Sequence, residues 1–542
     1  MRIFRLYVLI AVLSFLPLVS LLSTSLLLHT HDGFVHLARI GAYYKAFGDG
    51  QFPVRWAGDL NFGYGMPIFN FIYPLPYLIA SFFIFLGLGL AGAFKTTLIL
   101  SFILSGIFMF GFSNAFLKDA RKAFLATIFY QFAPFRLVEI LVRGSFGEVY
   151  SYAFLPLVLW GLVLLFKKQS YWTIVTTSVA VCLLVLSHNA ISLVFFAVCL
   201  GFIAFFGERL KNYALGIASL ILGLASSAFY WMPALLEHKF TYGDLLMKDL
   251  YRSHFPPLVN FFIPNFFNDQ GLQTGGISVQ IGLFHTCVLF LAVFVLLKNK
   301  HLTSNLKKVI LFCLGIFLIA LFFMQPVSKF FWEHVSFLRQ FQFPWRLLSV
   351  VTFVISLMSV CLLSFKFFSS RWNYLLLVFL VISSTAYYWK PQLGMDKINE
   401  GYYWNFPLNT TYFGETDLIW SEGPAKKYPK QRVEVIDGNG IVGFITKRSN
   451  FQSFAVDNQT PIKLVDHTQY FPGWRVYVDG QITPVEFQYG NYRGEIVFKV
   501  PKGSHVVRLS FGESPVRFFS DIISIVSLVF LFGFGIFRKF LK

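Results

Sequence analysis

The chain opens Arg2-Ile-Phe-Arg5-Leu-Tyr-Val-Leu-Ile-Ala-Val-Leu-Ser-Phe-Leu-Pro-Leu-Val-Ser-Leu-Leu-Ser-Thr-Ser-Leu-Leu-Leu28. This apolar run, roughly Phe4 to Leu28, starts as a signal peptide does, behind Arg2 and Arg5. It exceeds the roughly 20 residues that cross a bilayer and lacks a small-x-small cleavage site, so it reads as a first span. Comparable runs recur near 96–117, 123–136, 150–166, 172–187, 190–206, 213–235, 279–297, 309–324, 346–364, 373–389 and 518–537. The expected fold is therefore an α-helical polytopic membrane protein with about 12 transmembrane helices. Composition agrees: over 542 residues 56% are hydrophobic and 13% charged, with a mean hydropathy of +0.63, whereas about a quarter of a soluble domain is charged.

The formal charge of +19 invites a nucleic-acid reading. The lysines and arginines, however, stand in short clusters between apolar runs, as orientation signals do, and no nucleic-acid partner is expected. With the N-terminus in the cytoplasm, the inner segments become Met1–Arg5, Lys118–Lys122, Lys167-Lys168, Gly207–Lys211, Lys298–Lys308, Lys366–Arg371 and Arg538–Lys542. All are short and basic, as the positive-inside rule requires. A span at Pro74–Leu90 would turn Lys118–Lys122 outward, so that stretch reads as an interfacial or re-entrant helix within a long first external loop, 29–95. The expected organisation is a membrane domain over 1–389, an external β-rich domain over 390–517, and a last transmembrane helix with a cytoplasmic tail over 518–542. Alternating strands such as Trp474–Gly480, Glu495–Val500 and Val507–Phe511 make that external domain β-sandwich-like.

All five cysteines fall inside apolar runs and read as small core residues. Walker, Rossmann, His-Glu-x-x-His and Gly-x-Ser-x-Gly patterns are absent, which weakens ATP-driven transport and the common hydrolase chemistries. The informative residues are polar groups set among aromatics on the external side. In His31-Asp32-Gly-Phe-Val-His36-Leu-Ala-Arg39, Asp32 and His36 would share a helical face and hold a metal or a substrate proton, or Asp32 would simply be an N-cap. Around Pro53-Val-Arg55-Trp56-Ala-Gly-Asp59 the choice is between a sugar and phosphate site and an ordinary aromatic loop. Arg136-Leu-Val-Glu139-Ile-Leu-Val-Arg143-Gly-Ser-Phe-Gly-Glu148 offers either ion pairs or an acid at membrane depth. His188, in Ser187-His188-Asn189, orients substrate or caps a helix. Arg339 and Arg346, in Arg339-Gln-Phe-Gln-Phe-Pro-Trp-Arg346, neutralise a lipid phosphate or snorkel.

These motifs, together with Gly63-Tyr-Gly65, the Pro-Leu-Pro-Tyr helix, Leu186-Ser-His188-Asn189 and Phe471-Pro-Gly-Trp474…Val478-Asp479-Gly480, resemble the bacterial YfhO-like membrane proteins. These are also described as 6-pyruvoyl-tetrahydropterin synthase-related, although nothing in the sequence supports pterin chemistry. Such proteins are similar to the GT-C superfamily of polyprenyl-phosphate-sugar-dependent glycosyltransferases. The resemblance implies a GT-C-like membrane glycosyltransferase of the cell envelope, multi-pass in the bacterial cytoplasmic (inner) membrane. Asp32 would match the first-loop acid and general base, and Glu148, or else Glu139, the second acid. His36, Arg39, Arg55, Asp59, Arg143, His188, Arg339 and Arg346 would bind substrate, and Asp32 with Glu148 would hold Mg or Mn. Expected partners are a polyprenyl-phosphate sugar donor, an envelope glycan or lipid acceptor, and the lipid bilayer. The rival readings are a flippase for lipid-linked envelope precursors and a non-catalytic assembly protein.

Overall fold

The computed structural model describes residues 2–23, 26–265, 269–298 and 302–540. Met1, positions 299–301 of the expected inner segment Lys298–Lys308, and the last two residues of the expected tail lie outside the described residues. The opening run is helical from Arg2–Phe15 into Leu16–Leu22. Its end departs from the expected span: Leu26–Leu28 is a β-strand, antiparallel to Met395–Lys397. Three leucines read as lipid-facing only because their strand partner lies so far along the chain.

Among the described residues, seven helices are long and apolar enough to cross a membrane, and up to nine if two bent pairs each count as one span. The pair Ala120–Gln131 and Pro134–Arg143 bends by 51°, and Leu210–Ser226 with Ala228–Leu236 by 71°. Pro134 opens the second half of the first pair, and Ser226 and Ser227 mark the break in the second; proline and serine pairs are ordinary causes of kinks. Each of the twelve apolar runs contains a helix, but Tyr171–Val185, Leu283–Lys298 and Arg371–Ser383 are shorter than a full span. The Pro74–Leu90 stretch contains the 11-residue helix Leu75–Phe85, about 16 Å long against a hydrocarbon core of about 30 Å. It buries Tyr77, Ala80 and Ser81 and leaves Leu78, Phe82 and Phe85 exposed.

Among the described residues, loop contacts fall into two groups. In one, Arg121 donates to the carbonyls of Phe368, Ser369 and Ser370, Lys308 pairs with Glu208, and Gln169 donates to Asn212. These are the segments threaded as inner. In the other, His29 meets Asp396, Leu75 N–H donates to the Leu186 carbonyl, and Ser449 N–H donates to Asp49. These were threaded as outer.

Beyond Tyr387 the chain forms two antiparallel sheets. One runs, in spatial order, Gln481–Thr483, Trp474–Val478, Gly503–Phe511, Phe451–Asn458, Gly440–Arg448; the other Glu486–Tyr489, Tyr492–Val500, Ile462–Gln469, Val433–Asp437. Their inward residues, among them Phe454, Val476, Leu464 and Phe498, make one core, which is a sandwich's arrangement. That core also holds Trp56 and Phe71 of the first loop, so the loop and the β-domain are packed as one body.

Candidate active site

Five segments distant in sequence meet at the end of the bundle nearest the β-domain. The central one, Val138–Arg143, is a π-helix, a form that concentrates at functional sites. Glu139 and Arg143, four residues apart, close on one another there. Arg143 Nη1 donates to both Glu139 oxygens at 2.8 and 2.6 Å and lies 3.1 Å from Glu148 Oε1. The guanidinium sits 4.9 Å from the Trp345 ring centroid, and its Nη2 is 3.7 Å from Asp32 Oδ2.

Glu148 is held from its other side by Arg346, whose Nε donates to Oε1 at 3.0 Å. Arg346 Nη1 donates to the Phe341 carbonyl and to Gln342 Oε1 at 2.9 and 2.8 Å. His188 Nε2 stands 3.6 Å from the same Glu148 oxygen, while its Nδ1 accepts from Ile191 N–H at 3.2 Å. Burial pushes the His188 imidazole down to about 3; Glu148 opposes that shift, and Arg346 and Arg143 add to it. The ring is therefore neutral at pH 7, as an acceptor of a backbone N–H must be. His188 thus caps a helix with one ring nitrogen and faces the acid with the other.

Asp32 differs from the other two acids. Glu139 and Glu148 are 0% and 1% exposed, whereas the Asp32 side chain keeps 25% exposure and can meet a substrate. It occupies the N-cap position of helix Gly33–Gly48 but makes no side-chain cap bond. Thr30 Oγ1 accepts from Gly33 N–H instead, at 3.1 Å. The segment is pinned by Asp32 N–H donating to the Arg143 carbonyl at 2.8 Å. The Tyr412 hydroxyl is shared between the His31 carbonyl at 2.8 Å and Asp32 Oδ1 at 3.1 Å.

The remaining expected site residues are distributed differently. His36 does not pair with Asp32; its Nδ1 lies 2.8 Å from the Tyr77 hydroxyl, among Phe94 and Phe146, and burial holds its pKa well below the ordinary value. Arg39 is buried, with Nε donating to Thr410 Oγ1 at 3.1 Å and Nη2 to the Thr410 carbonyl; among the described residues no carboxylate pairs with it. Arg55 lies outside the cluster, 2.8 Å from Asp521 and 3.6 Å from Glu513. Asp59 pairs with Lys45 at 3.0 Å, and Arg339 donates to the carbonyls of Trp332 and Glu333. Sequence reasoning missed Tyr412 and Thr410, which sit in patternless coil, and Trp345, which lay unremarked between two quoted residues.

Three carboxylates, Asp32, Glu139 and Glu148, face two guanidiniums, Arg143 and Arg346, so the cluster holds no surplus positive charge. Asp32 and Glu148 fit a divalent cation poorly, because Arg143 contacts both. Among the described residues no group of three His, Cys, Asp or Glu side chains is placed to hold a metal ion.

The family described as the 6-pyruvoyl-tetrahydropterin synthase related domain, a membrane protein, matches residues 69–393. An uncharacterized protein of Lactococcus lactis subsp. cremoris (strain MG1363) is 24% identical over 301 residues, which cover 53% of this chain and 49% of that one. The chain thus spans about half the length of that relative. Among solved structures, the arabinofuranosyltransferase AftD from Mycobacteria aligns at 16% identity over 74% of this chain and 28% of its own, with a TM-score of 0.44. The Archaeoglobus fulgidus oligosaccharyltransferase aligns at 12% over 71% and 55%, with a TM-score of 0.45.

Proposed function

The chain belongs to that family of membrane proteins, and from this premise we propose that it is a GT-C-like glycosyltransferase, moving a sugar from a polyprenyl-phosphate donor to a cell-envelope acceptor. The reaction would take place on the external face of the bacterial cytoplasmic membrane, with the N-terminus inside. One observation carries the reading: Asp32 is the partly exposed carboxylate of an otherwise buried ionic cluster, is not used as a helix cap, and is oriented by Tyr412 and Arg143.

In this proposal Asp32 accepts the proton of the acceptor hydroxyl as that oxygen attacks the anomeric carbon and the donor phosphate departs. Positive charge develops at the anomeric carbon in glycosyl chemistry, and a cluster without positive surplus does not oppose it. Arg143 and Arg346 are committed to carboxylates, so phosphate recognition falls to Arg39. It lies seven residues, about two turns and 10 Å, along the same helix from Asp32. Thr410 and Tyr412, two residues apart, contact Arg39 and Asp32 respectively and would set the spacing of base and phosphate. No step is routed through a metal.

The test is transfer in liposomes from polyprenyl-phosphate sugars to envelope-lipid acceptors. Asp32→Asn, at matched folded amounts, is expected to lower turnover by about 100-fold or more, the usual scale of general-base catalysis, while donor binding survives. Normal turnover by that variant would remove Asp32 as the base.

A further inference from the structure

The β-domain meets the start of the last apolar helix at a cleft of about 410 Å³ lined by Arg475, Glu513, Ser514, Pro515, Phe518 and Phe519. Pro515 begins the apolar stretch Pro515–Gly533, long enough to cross a bilayer, so Phe518 and Phe519 lie within its first two turns. Both rings are exposed, and aromatic rings favour the boundary between headgroups and acyl chains. Arg475 is exposed, and among the described residues it donates to the Glu513 carbonyl at 3.5 Å. The Glu513 carboxylate is shared by Arg55 at 3.6 Å and Arg517 at 3.9 Å, and among the described residues Arg475 makes no ion pair with it.

The sheet above extends this pattern. Strand register sets Arg448, Phe451, Ser510 and Arg475 in one row across four strands, and Thr446, Ser453, Arg508 and Tyr477 in the next. Directly paired residues share a face, and this face is the outer one, since Phe454, Val476 and Leu509 fill the core. Arg448 and Arg508 are exposed, and neither forms an ion pair among the described residues. At the other end of the same sheet stand Asp457 and Asp479, paired with Ser504 and His505. On this outer face arginine thus stands at the end of the sheet that adjoins the helix Pro515–Phe540, and aspartate at the opposite end.

We propose that this cleft binds the headgroup of an anionic phospholipid of the surrounding leaflet, its phosphate on Arg475 with support from Arg508 and Arg448, and its acyl chains along Phe518 and Phe519. Charge complementarity and the membrane boundary name that occupant. The site is separate from the Asp32 cluster and its test needs no transferase assay.

Native mass spectrometry of the purified full chain in detergent, titrated with phosphatidylglycerol or phosphatidylcholine, measures occupancy. Wild type is expected to retain phosphatidylglycerol in preference to phosphatidylcholine. Arg475→Gln should reduce phosphatidylglycerol binding by about fivefold, equivalent to about 1 kcal/mol for one arginine at a lipid surface. Phe518→Ala with Phe519→Ala should weaken both lipids, and Arg371→Gln, on the opposite group of loops, neither. If Arg475→Gln melts below wild type, Arg508→Gln gives the same readout from an adjacent strand. Unchanged phosphatidylglycerol binding in a folded Arg475→Gln or Arg508→Gln protein overturns the proposal. So does displacement of the lipid by inorganic phosphate alone, which would assign the cleft to a soluble anion.

Discussion

At the residue scale the decisive distinction lies between charges that are already paired and charges that are not. The sequence offered Arg55, Arg143, Arg339 and Arg346 among its substrate-binding residues, and spacing cannot reveal that three of them meet carboxylates from other segments while Arg39 donates to Thr410 beside Tyr77. The polar motifs themselves were legible, since Asp32, Glu139, Arg143, Glu148, His188 and Arg346 do converge; their pairing was not, because it depends on contacts from 4 to 198 positions apart. His188 yields a pH prediction. Its folded pKa, about 3, lies below the unfolded value of about 6.5, so the unfolded state binds more protons between these values and stability falls as pH drops through that window. Protonation would also remove the Nδ1 acceptor for Ile191 N–H, beside Arg143 and Arg346. Comparing the melting temperature of wild type and His188→Asn from pH 7 to pH 4 isolates this group. Asparagine keeps the cap without titrating, so the wild-type protein should lose more stability on acidification; parallel curves would show that His188 does not stay neutral.

At the scale of elements, the helices were readable because apolarity and flanking charge are local properties. Arg121 with Phe368–Ser370, and Glu208 with Lys308, bring the basic segments together in pairs. What composition could not supply was how helix ends are satisfied. Leu90–Leu117 begins at Gly89, which has no capping side chain, and the four leading N–H groups of a helix need partners. The carboxylate of Glu400, more than 300 residues away, accepts from Leu90 and Ala91 N–H, both at 3.0 Å. It thereby places negative charge at the positive end of the helix. Glu400→Ala should cost about 1 kcal/mol, seen as roughly fivefold faster amide exchange at residues 90–93 with exchange at Glu148–Lys168 unchanged. Equal protection in the variant would mean that water caps the helix as well as Glu400 does.

At the scale of the whole molecule, the β-domain does not complete its own core. Trp56, from the first loop, is 1% exposed and packs edge-on against Trp474 at 5.5 Å and obliquely on Phe511 at 5.3 Å. Gly65 passes so close that a Cβ there would lie 2.6 Å from the Trp56 indole nitrogen. Alternating strands announce a sandwich, but no local pattern announces that a tryptophan some 400 residues earlier fills it. Two of the quoted motifs, Arg55-Trp56 and Phe471-Pro-Gly-Trp474, are thus two sides of one joint. Beside it, Arg517, Glu237 and Ser514 form a buried network, and Arg55 reaches Asp521. Truncating a buried Trp to Ala typically costs about 3–5 kcal/mol, on the order of the net stability of a small domain. Trp56→Ala should therefore open the sheets and spare the bundle: amide exchange should rise in Phe451–Asn458 and Gly503–Phe511 and stay slow in Leu90–Leu117. Loss of protection in both parts would mean that bundle and sandwich unfold as one cooperative unit, and retention in both that the sandwich stands without the loop. Because the same loop carries helix Gly33–Gly48 and so Asp32, an opened sandwich also frees the carboxylate's support. If the proposed chemistry holds, transfer in that variant should fall with sheet protection while phosphatidylglycerol binding at Arg475, whose strand belongs to the opened sheet, falls beside it.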